Sequence, residues 1–544
     1  MGQPPRRHST RSPRFALLRD LLGRDGRLVV VSNRGPITFE RDPNAPGGLT
    51  AARGPGGLVT ALAELGRHAP LTWVAASLTD GDRLAAPHLD PSSKSAKSRR
   101  TRELVDGLLP GQDVSLVYVP VPVAVYERHY GVIANPFLWF LQHEMYATAY
   151  APNVDETLLD AWREGYRPVN RLLADAAVEA VDDDKRPVVL VQDYHLYLAP
   201  ERIRERLPKA TILHFNHIPW PADSQWQLIP QAMRRAICEG LLCCDIVGFQ
   251  TDRYASHFLE SVSSFVRDAK VDRDSRNVAW RGRRIRVRTY PISVDPEGLD
   301  AFARSEAVEQ PLARLVERLE RAGNPRLIVR ADRIEPSKNA LRGFLAFEAL
   351  LERRPELRRT VRFVAVQAPT RTEIKEYADY AAAVREVVAR INRMDEPEDQ
   401  PVWVYDGTDY GMAIAALRLA DVVLVNPIVD GMNLVAKEAV LVGERDPVLV
   451  LSETAGAAEQ LAADSVSVAP ADVAGTTTAL ERALEMDPAD RRSHLRRMRA
   501  SVREEDLDWW LARQLRDLAA IRRGGVPPSR RLRDTVRRVE ELPV

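Results

Sequence analysis

Arg333 and Lys338 sit on one short loop, Arg330-Ala331-Asp332-Arg333-Ile334-Glu335-Pro336-Ser337-Lys338, at the mouth of a buried apolar run. Two cations so placed suit a departing diphosphate, whose negative charge grows as a glycosidic bond breaks. The intervening carboxylates permit a plainer reading, a solvated ion network. A second cluster, Val429-Asp430-Gly431-Met432-Asn433-Leu434-Val435-Ala436-Lys437-Glu438, also follows a buried run. Its glycine allows close backbone approach, and the amides after it can point at phosphate. Glu438 falls inside the following helix, where a carboxylate can chelate a ribose diol. The plain alternative makes Asp430 a helix cap and nothing more.

Two further clusters lie earlier in the chain. Gln192-Asp193-Tyr194-His195 and His217 of Asn216-His217-Ile218-Pro219-Trp220 each follow an apolar run, and a carboxylate and an imidazole at adjacent strand ends can hydrogen-bond several sugar hydroxyls together. A structural histidine is the alternative for His217. Arg34, with the glycines at 54, 56 and 57, offers a cation and side-chain-free amides near a helix start, a pairing that suits a phosphate. A turn beside a surface arginine would look the same.

These clusters need rigid elements behind them. Continuous β-branched runs at Leu28 to Val31, Thr72 to Ala76, Leu116 to Val119, Val188 to Gln192, Thr211 to Phe215 and Ile246 to Phe249 read as strands covered on both faces, with helical patterns between several. A second series runs through Arg326 to Val329, Val361 to Val366, Val402 to Tyr405, Val422 to Val425 and Val448 to Leu451. The alternation predicts an α/β protein of two Rossmann-like domains. The divisions expected are a disordered basic tail over 1–26, an N-terminal domain over 27–296, a C-terminal domain over 297–490, a helical segment over 491–520 and a basic tail over 521–544. Ser92 to Arg102, without apolar periodicity, reads as a solvated loop.

Bulk properties agree with two domains. A chain of 544 residues exceeds the roughly 250 to 300 residues at which single cores stop growing. A formal net charge of +1 argues against a nucleic-acid partner, which usually demands a field of one sign. There is neither an apolar stretch long enough to span a bilayer nor a signal-peptide core, so no membrane partner and a cytoplasmic location are expected. Cys238, Cys243 and Cys244 lack a second cysteine-rich segment that would complete a metal site, and read as core thiols.

The four clusters together resemble glycosyltransferase family 20, the family of the trehalose-6-phosphate synthases, from about Leu28 to Leu518. The residues that carry the resemblance are Val31-Ser32-Asn33-Arg34, Asp193-Tyr194-His195, His217-Ile218-Pro219, Arg333 with Lys338, and above all Asp430 through Glu438. The resemblance implies a GT-B fold, two Rossmann-like domains facing across a cleft. It also implies retaining transfer of glucose from UDP- or GDP-glucose to glucose 6-phosphate, without a metal or other cofactor. By the same resemblance Arg333 and Lys338 neutralise the diphosphate, Asn433, Leu434 and Val435 cradle it, and Glu438 holds the ribose. His217 and Asp430 grip the donor glucose, and Gly56 and Gly57 close over the donor phosphates. On the acceptor side Arg34 takes the 6-phosphate, Tyr130 and Trp139 line the pocket, Asp193 bonds the sugar, and Arg371 contributes a further cation. The partners implied are a nucleotide sugar and a sugar phosphate, with a homo-oligomer as an open alternative to a monomer.

Departures from the family pattern gather on the acceptor side. A Trp-x-Gly-Trp-Ser-Gly-type segment is replaced by Trp73-Val74-Ala75-Ala76-Ser77, so the second tryptophan is missing. Leu-Trp-Pro-x-Phe-His-Tyr becomes Leu138-Trp139-Phe140-Leu141-Gln142-His143-Glu144, and the arginine expected after Ala368-Pro369-Thr370 arrives one position early, as Arg371. Such changes resemble a sister branch of pseudo-glycosyltransferases that join a nucleotide-activated cyclitol to an amino-cyclitol phosphate, although Met432 and Lys437 side with the sugar transferases. Gly407-Thr408-Asp409-Tyr410, near the family's base site, differs from common UDP users and keeps GDP-glucose open. The alternatives are thus a family 20 transferase acting on another phosphorylated acceptor, such as glycerol 3-phosphate or a cyclitol phosphate, and a non-enzymatic sugar-phosphate sensor.

Overall fold

The β-branched runs do form buried strands. In β1 (Leu28–Ser32) the four apolar residues are wholly buried, as a strand covered on both faces requires. A computed structural model describes residues 17–18, 21–22, 26–54, 57–90, 92–181, 186–394 and 400–524. The described chain divides into two compact units, one drawn from Met1–Leu141, Ala147–Tyr290 and Trp510–Val544, the other from Gln142–Tyr146 and Pro291–Trp509.

In the first unit β1 is followed by β2 (Ile37–Arg41), β3 (Leu49–Arg53), β4 (Leu71–Ala76), β5 (Val114–Val119), β6 (Val188–Gln192), β7 (Thr211–Asn216), β8 (Ile246–Phe249), β9 (Lys270–Asp272), β10 (Asn277–Trp280) and β11 (Arg283–Thr289). Nine of these form one sheet in the order β5-β4-β1-β6-β7-β8-β11-β10-β9, while β2 and β3 pair apart from it. From β5 to β11 the pairings are parallel, and β10 and β9 extend the edge antiparallel. The six strands from β5 to β8 follow the Rossmann order 3-2-1-4-5-6. The second unit repeats that order with all pairings parallel: β14 (Val402–Asp406), β13 (Val361–Ala368), β12 (Arg326–Arg333), β15 (Val422–Val425), β16 (Val448–Ser452) and β17 (Val466–Val468). Strand order therefore reverses between β1 and β6 in one unit and between β12 and β15 in the other. In open α/β sheets the ligand crevice opens at that reversal, beyond the carboxyl ends of the strands.

Several expectations are corrected. Ser92 to Arg102 is not a loop: Ala96–Leu108 is a helix, capped by Ser95 accepting from the Ser98 amide, and its buried face is Ser98, Thr101 and Val105. Its small polar contacts hid the helical period. The helical segment at 491–520 is not one unit either, because from Trp510 onward it belongs to the first unit. There Trp510 donates through Nε1 to the Tyr290 carbonyl at 3.1 Å, and the Tyr290 hydroxyl donates to Asp517 at 2.6 Å. The change of unit falls at Tyr290/Pro291 instead of 296/297, and Gln142–Tyr146 joins the second unit. Of the basic tails, residues 1–16, 19–20, 23–25 and 525–544 lie outside the described residues. Leu18, Leu21 and Leu22 are buried and Arg522 donates to the Leu21 carbonyl, so this part of the expected N-terminal tail is packed.

Candidate active site

In the first unit the β1–β6 reversal gathers a polar and aromatic cluster. Just past β1, the Asn33 amide donates to the Tyr126 hydroxyl at 3.0 Å. Tyr126 stacks on Tyr130 with ring centroids 5.5 Å apart, and Tyr130 stacks on His195 at 5.9 Å. Arg34 is exposed beside them, with no carboxylate partner among the described residues, and its charge bears on the half-buried Tyr126 phenol. Tyr126 and Tyr130 sit on a helical stretch that takes π-helical geometry over Glu127–Trp139, Pro136 included. Single-turn π-bulges are frequent at functional sites, and this one is longer. Trp139, at its end, is buried with its ring 5.6 Å from that of Tyr194.

Asp193, directly after β6, has φ 71° and ψ 173°, a region that side-chain-bearing residues rarely enter. Its carboxylate accepts from the His217 amide at 3.1 Å. Burial pushes the carboxyl up to about 7, against the pull of the His217, Tyr194 and Ile218 amides. His217, after β7, meets the Gln192 amide oxygen at 3.0 Å through Nε2, and burial pushes the ring down to about 3. The imidazole is therefore neutral near pH 7. With Nε2–H spent on Gln192, Nδ1 is left as the ring's hydrogen-bond acceptor.

The second unit assembles its cluster at the β12–β15 reversal. Lys338 Nζ lies 2.5 Å from Asp430 Oδ2 and 4.0 Å from Glu335 Oε1. Arg333, 45% exposed at its side chain, lies 3.2 Å from the same Glu335 oxygen. Glu335 is wholly buried. Burial pushes its carboxyl up, but Arg333, Lys338, Arg371 and His143 outweigh that and hold it below the ordinary range. Asp430 behaves alike: burial raises it, while Lys338, His143 and the Asn433 amide bring it down. Except for Arg333 the ion network is thus largely buried, in place of the solvated network that the sequence left open.

Asn433, with φ 76°, caps the helix Leu434–Val442: its side chain accepts from the Ala436 amide at 3.3 Å and donates to Asp430 at 3.1 Å. Asp430 therefore pairs with the cation and the cap and does not itself cap the helix. The Leu434 and Val435 amides open the helix, where unsatisfied N–H groups and the dipole favour an anion. Gly456 keeps this loop in place. Its amide donates to the Asp430 carbonyl at 3.1 Å, and a Cβ there would stand 2.0 Å from the Gly431 oxygen. Glu438, one turn into the helix, accepts from the Tyr410 hydroxyl at 2.8 Å.

Of the residues singled out from sequence, all but Gly56 have a described place. Arg34, Tyr130, Trp139, Asp193 and His217 belong to the first unit, and Arg333, Lys338, Asp430, Asn433, Leu434, Val435 and Glu438 to the second. Gly57 opens the helix Gly57–Glu64 of the first unit, and Gly56 lies outside the described residues. Arg371, expected on the acceptor side, acts on the Glu335 cluster and donates to the Tyr377 hydroxyl at 2.6 Å. Sequence reasoning passed over Glu335, His143, Tyr126 and Gly456. Glu335 stood inside a quoted motif, but nothing in its neighbours marks it as buried. Lys437 was counted with the sugar-transferase pattern, and its Nζ donates to the Ile292 carbonyl at 2.9 Å. Among the described residues no group of three or more His, Cys, Asp or Glu side chains is arranged to hold a metal ion, and no helix is long and apolar enough to cross a membrane.

Two Rossmann-ordered units, with a helix start and paired cations at the reversal of one and a buried carboxyl, an imidazole and stacked aromatic rings at that of the other, define a class: nucleotide-sugar glycosyltransferases of GT-B fold. The sequence profile of glycosyltransferase family 20 matches residues 26–520, and the chain belongs to that family. It is 33% identical over 493 residues to the validamine 7-phosphate valienyltransferase of Streptomyces hygroscopicus subsp. jinggangensis, covering 91% of this chain and 94% of that protein. With the alpha,alpha-trehalose-phosphate synthase (UDP-forming) of Schizosaccharomyces pombe it shares 30% over 521 residues, 94% of each chain. Among solved structures it is similar to the E. coli trehalose-6-phosphate protein bound with UDP-2-fluoro glucose (27% identity, TM-score 0.75, 92% of this chain and 100% of that one). It is likewise similar to the Burkholderia xenovorans alpha,alpha-trehalose-phosphate synthase (UDP-forming) in complex with glucose-6-phosphate (28% identity, TM-score 0.74, 91% and 100%).

Proposed function

We propose that this protein transfers glucose, with retention, from UDP- or GDP-glucose to glucose 6-phosphate, giving trehalose 6-phosphate. The observation that carries the reading is the Lys338–Asp430 pair joined through Asn433 to the start of the helix Leu434–Val442, with Arg333 exposed nearby. The leaving diphosphate gains charge as the glycosidic bond breaks, and fixed cations and helix amides oppose that charge without reorganising. In this reading Lys338, Arg333 and the Leu434 and Val435 amides take the diphosphate, Glu438 the ribose, and Asp430 and His217 the donor glucose. Arg34 takes the acceptor phosphate, and Asp193, Tyr130 and Trp139 the acceptor sugar. Arg371 supports the diphosphate cations through Glu335, and Gly56 and Gly57 approach the donor phosphates. Protein cations supply the charge that a metal supplies elsewhere, so EDTA leaves turnover unchanged. The enzyme works in the cytoplasm.

A second reading, transfer to a cyclitol phosphate, is favoured by two features. One is the similarity to the validamine 7-phosphate valienyltransferase; the other is Ala76, a buried residue where family members carry the second tryptophan. The test is nucleotide release from UDP- and GDP-glucose with glucose 6-phosphate, glycerol 3-phosphate and cyclitol phosphates as acceptors, with and without EDTA. Release with glucose 6-phosphate supports the first reading. Turnover only with another acceptor overturns it, and nucleotide-sugar binding without turnover on any acceptor supports a sensor.

A further inference from the structure

Tyr410 opens the helix Tyr410–Arg418, whose cap, Asp409, accepts from the Met412 amide at 3.2 Å. Its ring stacks on Phe302 with centroids 5.1 Å apart and planes at 24°, yet the residue is 47% exposed. An aromatic residue this exposed contributes little core, and its polar end goes to one place, Oε1 of Glu438, at 2.8 Å. Among the described residues that hydroxyl is the one hydrogen-bond partner of the Glu438 side chain.

The helix beneath Glu438 is fixed independently of Tyr410. Asn433 caps its start, Lys437 ties it to the Ile292 carbonyl, and Arg499 donates to the Val440 carbonyl at 2.8 Å and to that of Gly443. Charged groups on the neighbouring elements are engaged elsewhere: Arg418 with Glu309 and Glu444, Arg503 with Asp300. Backbone anchoring thus sets where Glu438 begins, and the Tyr410 phenol sets where its carboxylate ends. A carboxylate held at one oxygen keeps the other, Oε2, in a defined direction, and its ionised form is the stronger acceptor of the phenol's hydrogen bond.

We propose that Tyr410 is a positioning residue of the nucleotide site: by holding Oε1 of Glu438 it aims Oε2 at a ribose hydroxyl, and so makes the protein select ribonucleotides over 2′-deoxyribonucleotides. The inference rests on the assignment of Glu438 to the donor ribose. A site built to bond a hydroxyl rejects the analogue lacking it, because its own polar group is left unpaired.

The test is calorimetric binding of UDP, dUDP, GDP and dGDP to the wild-type chain and to Tyr410→Phe, which keeps the ring and its stack on Phe302. For the better-bound base, the wild type is expected to favour the ribonucleotide by about tenfold or more. In Tyr410→Phe that ratio falls to within about twofold, because the ribonucleotide weakens while the deoxynucleotide does not. The kinetic counterpart is a raised donor KM with kcat nearly unchanged. Burial raises the Glu438 carboxyl and the Tyr410 hydroxyl lowers it, so the variant also moves the acid limb of kcat/KM to higher pH. A variant that folds, keeps the full ribose preference and keeps the acid limb overturns the proposal. So does one that binds ribonucleotides more tightly, which would make the phenol a competitor of the sugar. Absence of transfer from any nucleotide glucose refutes the proposed reaction instead, and the four binding constants still decide the role of Tyr410.

Discussion

Lys338 serves two charges at once. It holds Asp430 at 2.5 Å within a largely buried pair, and it lies close enough to the buried Glu335 to help keep that carboxyl ionised. In the proposed reaction its replacement removes a cation from the leaving group's path and leaves two carboxylates without that partner. Lys338→Ala is expected to lower kcat by about 10² or more, with the far-ultraviolet spectrum unchanged; near-normal turnover in a folded variant would refute the role. Asp193 bears a cost of another kind. Its backbone sits where glycine is the usual occupant, and burial raises its carboxyl to about 7. A carboxyl raised on folding contributes stability that is full below its unfolded value, near 4, and lost as pH rises through its folded value. Asp193→Asn keeps an oxygen for the His217 amide but cannot ionise. Its melting temperature relative to wild type should therefore climb between pH 4 and 7 and then level off. A difference that is flat across that range would contradict the assignment.

At the scale of elements, loop contacts aim the site's backbone. Gly456 touches the Asp430–Asn433 loop so closely that a Cβ would stand 2.0 Å from the Gly431 oxygen. The obstacle is backbone, which cannot rotate aside. Gly456→Ala should cost about 1–3 kcal/mol, the scale of overpacking, and raise the donor KM even at temperatures where the variant is fully folded. Titration of nucleotide into the folded variant checks this, and wild-type affinity would sink it. Gly343 faces a side chain instead: a Cβ there would come within 2.5 Å of the buried Arg330 guanidinium, which donates to the Lys338 carbonyl. Neither glycine announced its purpose in the sequence. Legible there were strands buried on both faces, whose apolar runs need no partner to be recognised, and the polar loops after them. The β2–β3 hairpin stayed hidden because its strands are short and half exposed, β9 because it is three residues long and exposed at the sheet's edge, and β10 because four residues are too few to show a period. Glu335 escaped for a related reason: whether a carboxylate between cations is solvated or buried depends on tertiary cover.

At the scale of the molecule, both units use the same strand order and set their polar clusters at its reversal, so the candidate chemistry derives from topology as much as from local motif. The chain does not keep to one unit at a time: within its last described helix, Leu507–Arg522, it returns to the first. Trp510 is fully buried in the first unit, 5.5 Å from the Phe215 ring and bonded to the Tyr290 carbonyl, with Leu515 and Leu518 buried behind it. Phe215 lies on β7, the strand that ends beside His217, and Tyr290 comes directly after β11. Trp510→Ala should therefore cost about 3–5 kcal/mol, the scale for removing a large buried ring, and the loss should fall on the first unit. Native-state amide exchange reads that directly, since protection reports opening segment by segment. Exchange is expected to quicken in β7, β8 and β11 while β12, β13 and β15 keep their protection. An equal change in both units would mean that the C-terminal helix stabilises the chain as a whole, and that the first unit's polar cluster has no special dependence on it.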